Sequence, residues 1–73
     1  MTRSQSFTTW LKRHAKDDNA IGDLARDVAA DRDWPSRMRL KGQREYLENR
    51  GASRAAVATL ERAWSLYQER PAD

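Results

Sequence analysis

Asp23, Asp27 and Asp31 recur every fourth residue, a spacing that stacks side chains along one face of a helix. Three carboxylates in a row make a solvated negative stripe, suited to solubility or to docking a basic protein partner. With Asp17, Asp18 and Asp33 they bring six aspartates into residues 17–33. Their order lacks the Asp-x-Asp-x-Asp-Gly loop that turns oxygens onto a hard cation, so no metal site is expected. The positive counterparts are Arg37, Arg39, Lys41, Arg44, Arg50 and Arg54, a basic surface able to meet carboxylates or phosphates. His14 is the lone histidine and there is no cysteine, which leaves no cysteine–histidine nucleophile pair and no zinc ligand set. Ser6, Ser36 and Ser53 stand where helix caps are needed, and Gly22, Gly42 and Gly51 are isolated rather than grouped into a phosphate-cradling loop. No catalytic residue and no cofactor are expected.

The net charge of +3 is unevenly spread, with residues 1–16 carrying +4, residues 17–33 carrying −4, residues 34–53 carrying +3 and the remainder balanced. A basic protein invites a nucleic-acid reading, but the aspartate block repels phosphate wherever it faces the ligand. Arginine outnumbers lysine eleven to three, a bias that bidentate recognition and a GC-rich genome both produce. At 73 residues the chain holds one domain with a small core, burying about 60% of the surface its unfolded form exposes. Hydrophobic residues at 38% are too many for a disordered chain, and the 34% of charged residues point to a charge-coated helical domain. The longest uncharged stretch, Ser4 to Leu11, is far short of the roughly 20 apolar residues of a membrane helix. No apolar run follows the N-terminal residues as in a secretory signal, so a cytoplasmic location is expected.

Four helices are predicted to position these groups. Phe7, Trp10, Leu11 and His14 share one face of a first helix, over about Phe7 to His14, capped by Ser6. Asn19 caps a second, in which Ile21, Leu24, Ala25 and Val28 repeat that spacing; it should end by Arg32 or Asp33, because Pro35 disfavours helical geometry at Trp34. Trp34 then plugs the core from a loop. Leu40 to Arg50 reads as a short third helix with Leu40, Tyr46 and Leu47 inward, stopped by Gly51. Ser53 caps the longest helix, Arg54 to about Glu69, which turns Val57, Leu60, Trp64 and Tyr67 inward with Ala56 and Ala63 on the same side. Residues 1–5 are expected to be flexible and residues 70–73 frayed, flanking one domain over 6–69. The three tryptophans fall at helical spacing among aliphatics, which favours core packing over a platform for stacking bases.

The stretches Ser6-Phe7-Thr8-Thr9-Trp10-Leu11, Ile21-Gly22-Asp23-Leu24-Ala25-Arg26-Asp27, Asp33-Trp34-Pro35, Tyr46-Leu47-Glu48 and Ala63-Trp64-Ser65-Leu66-Tyr67 follow one another in register. In order and spacing they resemble the YozE-like family of small bacterial proteins, from Ser6 to Gln68. The resemblance implies an all-α, sterile-alpha-motif-like (SAM-like) bundle of four to five short helices, and it implies no biochemical role. The chain departs from the family pattern at Arg37, Met38, Arg39 and Lys41, a basic connector where a more acidic, Ser/Thr-containing loop is usual.

The expected function is that of a non-enzymatic module for protein–protein interaction or regulation. The acidic face (Asp23, Asp27, Asp31) and the basic surface (Arg37, Arg39, Lys41, Arg44) are the candidate sites, meeting an unidentified protein or pairing head-to-tail with another copy. The alternative is sequence-nonspecific binding of a nucleic-acid backbone. Gly51-Ala52-Ser53-Arg54 loosely resembles the hairpin of helix-hairpin-helix DNA binders, where backbone N–H groups and a helix start hold a phosphate. Ser53 replaces the second glycine of that hairpin, and Arg50 and Arg54 would be the main phosphate contacts.

Overall fold

The computed structural model describes residues 6–70, which form four helices: α1 (Phe7–Lys12), α2 (Ala20–Ala30), α3 (Leu40–Asn49) and α4 (Arg54–Glu69). Of the ends expected to be flexible or frayed, residues 1–5 and 71–73 lie outside the described residues, while Arg70 is described and its guanidinium donates to the Tyr67 carbonyl. Three of the four helices start on the caps read from the sequence. Ser6 Oγ accepts the Thr9 N–H, Asn19 Oδ1 the Gly22 N–H, and Ser53 Oγ the Ala56 N–H. Gly51 ends α3 at φ +80°, and the Ala52 N–H reaches the Leu47 carbonyl while the Gly51 N–H reaches that of Glu48. This pair of bonds is the Schellman closure, and it needs the left-handed residue that glycine supplies without a β-carbon clash.

Two boundaries and one cap differ from expectation. The first helix stops at Lys12, because the N–H groups of Arg13, His14 and Ala15 reach back only three residues and tighten the last turn. The second stops at Ala30: Asp31 is extended and its own carboxylate accepts the Asp33 N–H, a local bond that competes with helix continuation. Asp31 is therefore the residue that leaves α2, not the third member of a helical stripe. Ser36 caps no helix; its hydroxyl donates to the Trp34 carbonyl, and α3 begins at Leu40 after Arg39, whose side chain makes no capping bond.

The longest helix, α4, packs on α1, α2 and α3, and α1 also packs on α2. Phe7, Leu11, Leu24, Ala25, Val28, Trp34, Leu60 and Ala63 are buried between them. Trp10, Ile21, Leu40, Tyr46, Leu47, Trp64 and Tyr67 pack around this cluster half-buried. Val57, expected inside, is half-buried and does not join the packed cluster, whereas Ala25 and Ala63 are fully enclosed. Small side chains there let the helix backbones approach closely. Phe7 stacks on Trp64 with ring centroids 4.2 Å apart, and Tyr67 meets Phe7, Trp10 and Trp64 edge-on, so the aromatics brace α1 against α4.

Two polar side chains are buried with their partners. Thr8 Oγ1 accepts the Trp34 indole N–H at 3.0 Å, fastening the loop tryptophan to α1. Gln43 is fully enclosed; its amide donates to the carbonyls of Pro35 (3.3 Å) and Met38 (3.0 Å) and accepts the Trp64 indole N–H at 2.9 Å. One side chain thus joins the connector, α3 and α4.

Two expected outcomes follow from this packing. In an ordinary helix, Gly→Ala gains up to about 1 kcal/mol. A β-carbon on Gly22 would instead overlap the Asp17 carbonyl oxygen in the preceding loop. Gly22→Ala should then destabilise by about 1–3 kcal/mol in urea unfolding, an overpacking cost; an unchanged or raised midpoint would contradict the close approach. Gln43→Leu should cost about 1–3 kcal/mol for each buried partner it strands, read by the same unfolding curves, and a neutral result would show that water replaces the amide.

Candidate functional site

The aspartates of α2 line the lip of a groove. Asp23 and Asp27 each directly precede a buried residue, Leu24 and Val28, so on the helix they flank the apolar stripe at its edge. Opposite them stand the turn after α3 and the first turns of α4. Three adjoining depressions meet at Asp27. The first is lined by Asp23, Leu24, Ala55, Ala56 and Thr59, the middle one by Leu24, Val28, Asp31, Trp34, Leu47, Ala52 and Ala56, and the last by Asp31, Arg32, Tyr46 and Arg50. The middle depression has a volume of about 210 Å³ and an apolar floor. A carboxylate on the lip of an apolar slot is suited to a cation carried on an apolar stem.

The three aspartates are not equivalent. Asp23 is exposed and paired with the guanidinium of Arg26, whose other contacts are the loop carbonyls of Ala15 and Asp17. Asp27 is exposed and has no ion pair or hydrogen bond with any described residue. Asp31 is half-buried: its Oδ2 accepts the Tyr46 hydroxyl at 2.6 Å, and that hydroxyl accepts from Arg50 Nη1 at 2.8 Å. The tyrosine hydroxyl, then the Asp33 N–H and the Arg50 charge hold the Asp31 carboxyl below the usual carboxylate range, against the opposing effect of burial. The same bond to Asp31, with burial, pushes the Tyr46 phenol up.

The basic residues do not form one surface. Arg37, Arg39 and Lys41, around the start of α3, are exposed and without a partner among the described residues. Arg44 is paired with Glu61 at 3.1 Å. Arg50 is engaged by Tyr46, its guanidinium carbon 5.2 Å from the ring centroid. Arg54 is exposed on the first turn of α4, but Ser53 Oγ already accepts the Ala56 N–H there, a donor that a phosphate would use.

His14 caps the end of α1, its Nδ1 donating to the Trp10 carbonyl at 3.0 Å. Among the described residues no three acidic or histidine side chains gather as a metal ion requires. No described helix is long and apolar enough to cross a membrane.

Sequence reasoning found the acidic lip but not the groove, and it missed the Asp31–Tyr46–Arg50 chain. The available signal was the position of each α2 aspartate next to an inward residue.

The titration of that chain has a definite sign. Asp31 has a lowered pKa in the fold, so its contribution is present above the ordinary carboxylate value and is lost as pH falls through the folded one; Tyr46, raised, contributes below the ordinary phenol value and loses it as pH rises. In urea unfolding across pH, Asp31→Asn should flatten the acid limb and Tyr46→Phe the alkaline limb. Profiles that stay parallel to the parent would mean that the bond carries no stability.

The comparisons with known proteins bear on the fold. No curated protein and no solved structure matches the chain at a significant level. A family model does, that of the YozE SAM-like fold, over residues 6–69. That span runs from the Ser6 cap to the last residue of α4 and takes in all four helices, the connector and both lips of the groove. The chain belongs to the YozE SAM-like family.

Proposed function

We propose that this domain is a non-enzymatic protein-interaction module of the bacterial cytoplasm, an adaptor that grips a basic segment with an apolar anchor in the groove between α2 and the α3–α4 turn. The observation that supports this is Asp27: an unpartnered carboxylate on the lip of an apolar slot, next to a second carboxylate held charged at Asp31. A protein surface at neutral pH gains little by leaving such a pair of features adjacent, whereas a partner with an arginine or lysine beside a large apolar side chain meets both. The titratable groups that touch each other, Asp31, Tyr46 and Arg50, tie the start of the connector to α3, which is structural work.

Binding of a nucleic-acid backbone is the competing reading. It would draw on Arg54, with Arg50 drawn away from Tyr46, and its affinity would fall steeply with salt.

The test is an amide-shift titration of the whole chain with two pentapeptides, Gly-Arg-Met-Arg-Gly and Gly-Glu-Met-Glu-Gly, and with a short DNA duplex at two salt concentrations. The basic peptide should shift amides of Leu24, Val28, Leu47, Ala52 and Ala56, the acidic peptide should not, and Asp27→Arg should weaken the basic peptide's binding by about tenfold. Shifts confined to Arg50, Arg54 and their neighbours, produced by DNA and lost at high salt, would overturn the interaction reading in favour of phosphate binding. So would indifference to both peptides.

A further inference from the structure

The groove is longer than one side chain. Its three depressions follow α2 in order: Ala20, Leu24 and Asp27 border the first, Leu24, Val28 and Asp31 the second, and Asp27, Ala30 and Asp31 the third. Each lies about one helical turn beyond the last, roughly 5–6 Å, and the run from Ala20 to Asp31 measures about 16 Å. Across from α2 the wall is built largely of small residues, Ala52, Ala55, Ala56 and Thr59, so the main chain of an occupant can come close. The first two depressions, about 190 Å³ and 210 Å³, each hold one large aliphatic side chain.

The walls decide the backbone form of that occupant. Between their ends α2 and α4 use their N–H and C=O groups on their own bonds, and among the described residues there is no strand whose edge could pair with a guest. An extended segment laid over this apolar floor would leave its own N–H and C=O groups without partners where water is excluded. A helix brings them already paired. The repeat agrees, because a helix offers one side chain per turn at about 5.4 Å. An extended chain offers one every second residue, about 6.8 Å apart, and over three depressions it overshoots by about 3 Å. Charge then selects the flank. Asp23 is held by Arg26, which leaves Asp27 as the carboxylate on the lip of the apolar floor, and the α4 residues that line the groove are uncharged. An arginine or lysine on the side facing α2 can lay its stem on the floor and its charge on Asp27.

We infer that the groove receives an amphipathic, basic α-helix of about three turns from a partner protein. It lies along α2 with one apolar side chain in each of the first two depressions, a cation on Asp27 and its end over the third, wider depression. This rests on the interaction reading of the groove and adds the partner's backbone form and length.

The probe that tests it is a capped, alanine-based peptide of about three turns, with leucine on one face in each turn and arginine beside each leucine. Its control carries proline in place of the central alanine, which breaks the helix. With the helical peptide, amide shifts of the whole chain should extend over Ala20, Leu24, Asp27 and Ala55 as well as Ala52. The helical circular dichroism of the mixture should exceed the sum of its parts as the peptide orders. The proline control should bind about tenfold more weakly or worse. Ala55→Trp, at an exposed position, should fill the first depression and weaken the helical peptide by about tenfold, yet leave Gly-Arg-Met-Arg-Gly in the middle depression unaffected. Equal affinity for the two long peptides, or an Ala55→Trp chain that binds the helical peptide as well as the parent does, would overturn this inference. If Gly-Arg-Met-Arg-Gly then still shifts Val28 and Leu47, the interaction reading stands with an occupant of another form; if neither the long peptides nor the pentapeptide bind, both fail.

Discussion

The buried amide of Gln43 is the interaction on which the arrangement of α3, α4 and the connector depends. A glutamine removed from water must find all its partners or destabilise the fold. Here it finds three, from three parts of the chain: the Pro35 and Met38 carbonyls and the Trp64 indole. These bonds let an irregular loop pass close to the core without stranding its carbonyls. They also fix the direction in which the chain enters α3, and so they place both Met38 at the start of that helix and Leu47 at its end. Thr8 does the same for Trp34 on the other side of the loop. The connector is thus pinned at two points by buried polar bonds, with the Trp34 ring packed between them.

Asp31 extends this bracing to the surface. By leaving α2 early and taking the Tyr46 hydroxyl, it ties the end of α2 to α3, although the two helices do not pack directly. The opening that remains between them is the groove. Had α2 run on to Arg32 as its pattern predicts, Asp31 would have stayed on the helix, and neither the bond to Tyr46 nor this shape of slot would exist. A short-range event, one carboxylate accepting an N–H two residues on, therefore sets the shape of the groove.

Most of the fold was legible because it rests on local rules. Ser6, Asn19 and Ser53 as caps, Gly51 as a stop and the spacing of Phe7, Leu11, Leu24, Val28 and Leu60 read directly into helices and their inward faces. The polar core did not, because nothing in a helical pattern separates an enclosed glutamine from an exposed one; Gln43 is buried by what lies opposite it. The candidate site was half legible. Charge counting located the aspartates and arginines, yet it pooled Arg44 and Arg50 with Arg37 and Arg39, and the ion pair to Glu61 and the bond to Tyr46 separate them. The first spans 17 residues and lies beyond any local rule, whereas Tyr46 and Arg50 stand four apart at the end of α3, a pairing that helical spacing offered and charge counting passed over.

An unmatched charge on this surface is informative only through what it borders. Asp23, Asp31, Arg26, Arg44 and Arg50 all have partners within the domain, whereas Asp27, Arg37, Arg39 and Lys41 have none among the described residues. Arg32, Glu45, Glu48 and Arg62 are likewise without a side-chain partner among the described residues, so lack of a partner by itself singles out no site. Asp27 is set apart by what it borders, the slot walled by Leu24, Val28 and Leu47, where exclusion of water strengthens a charge interaction that solvent otherwise weakens.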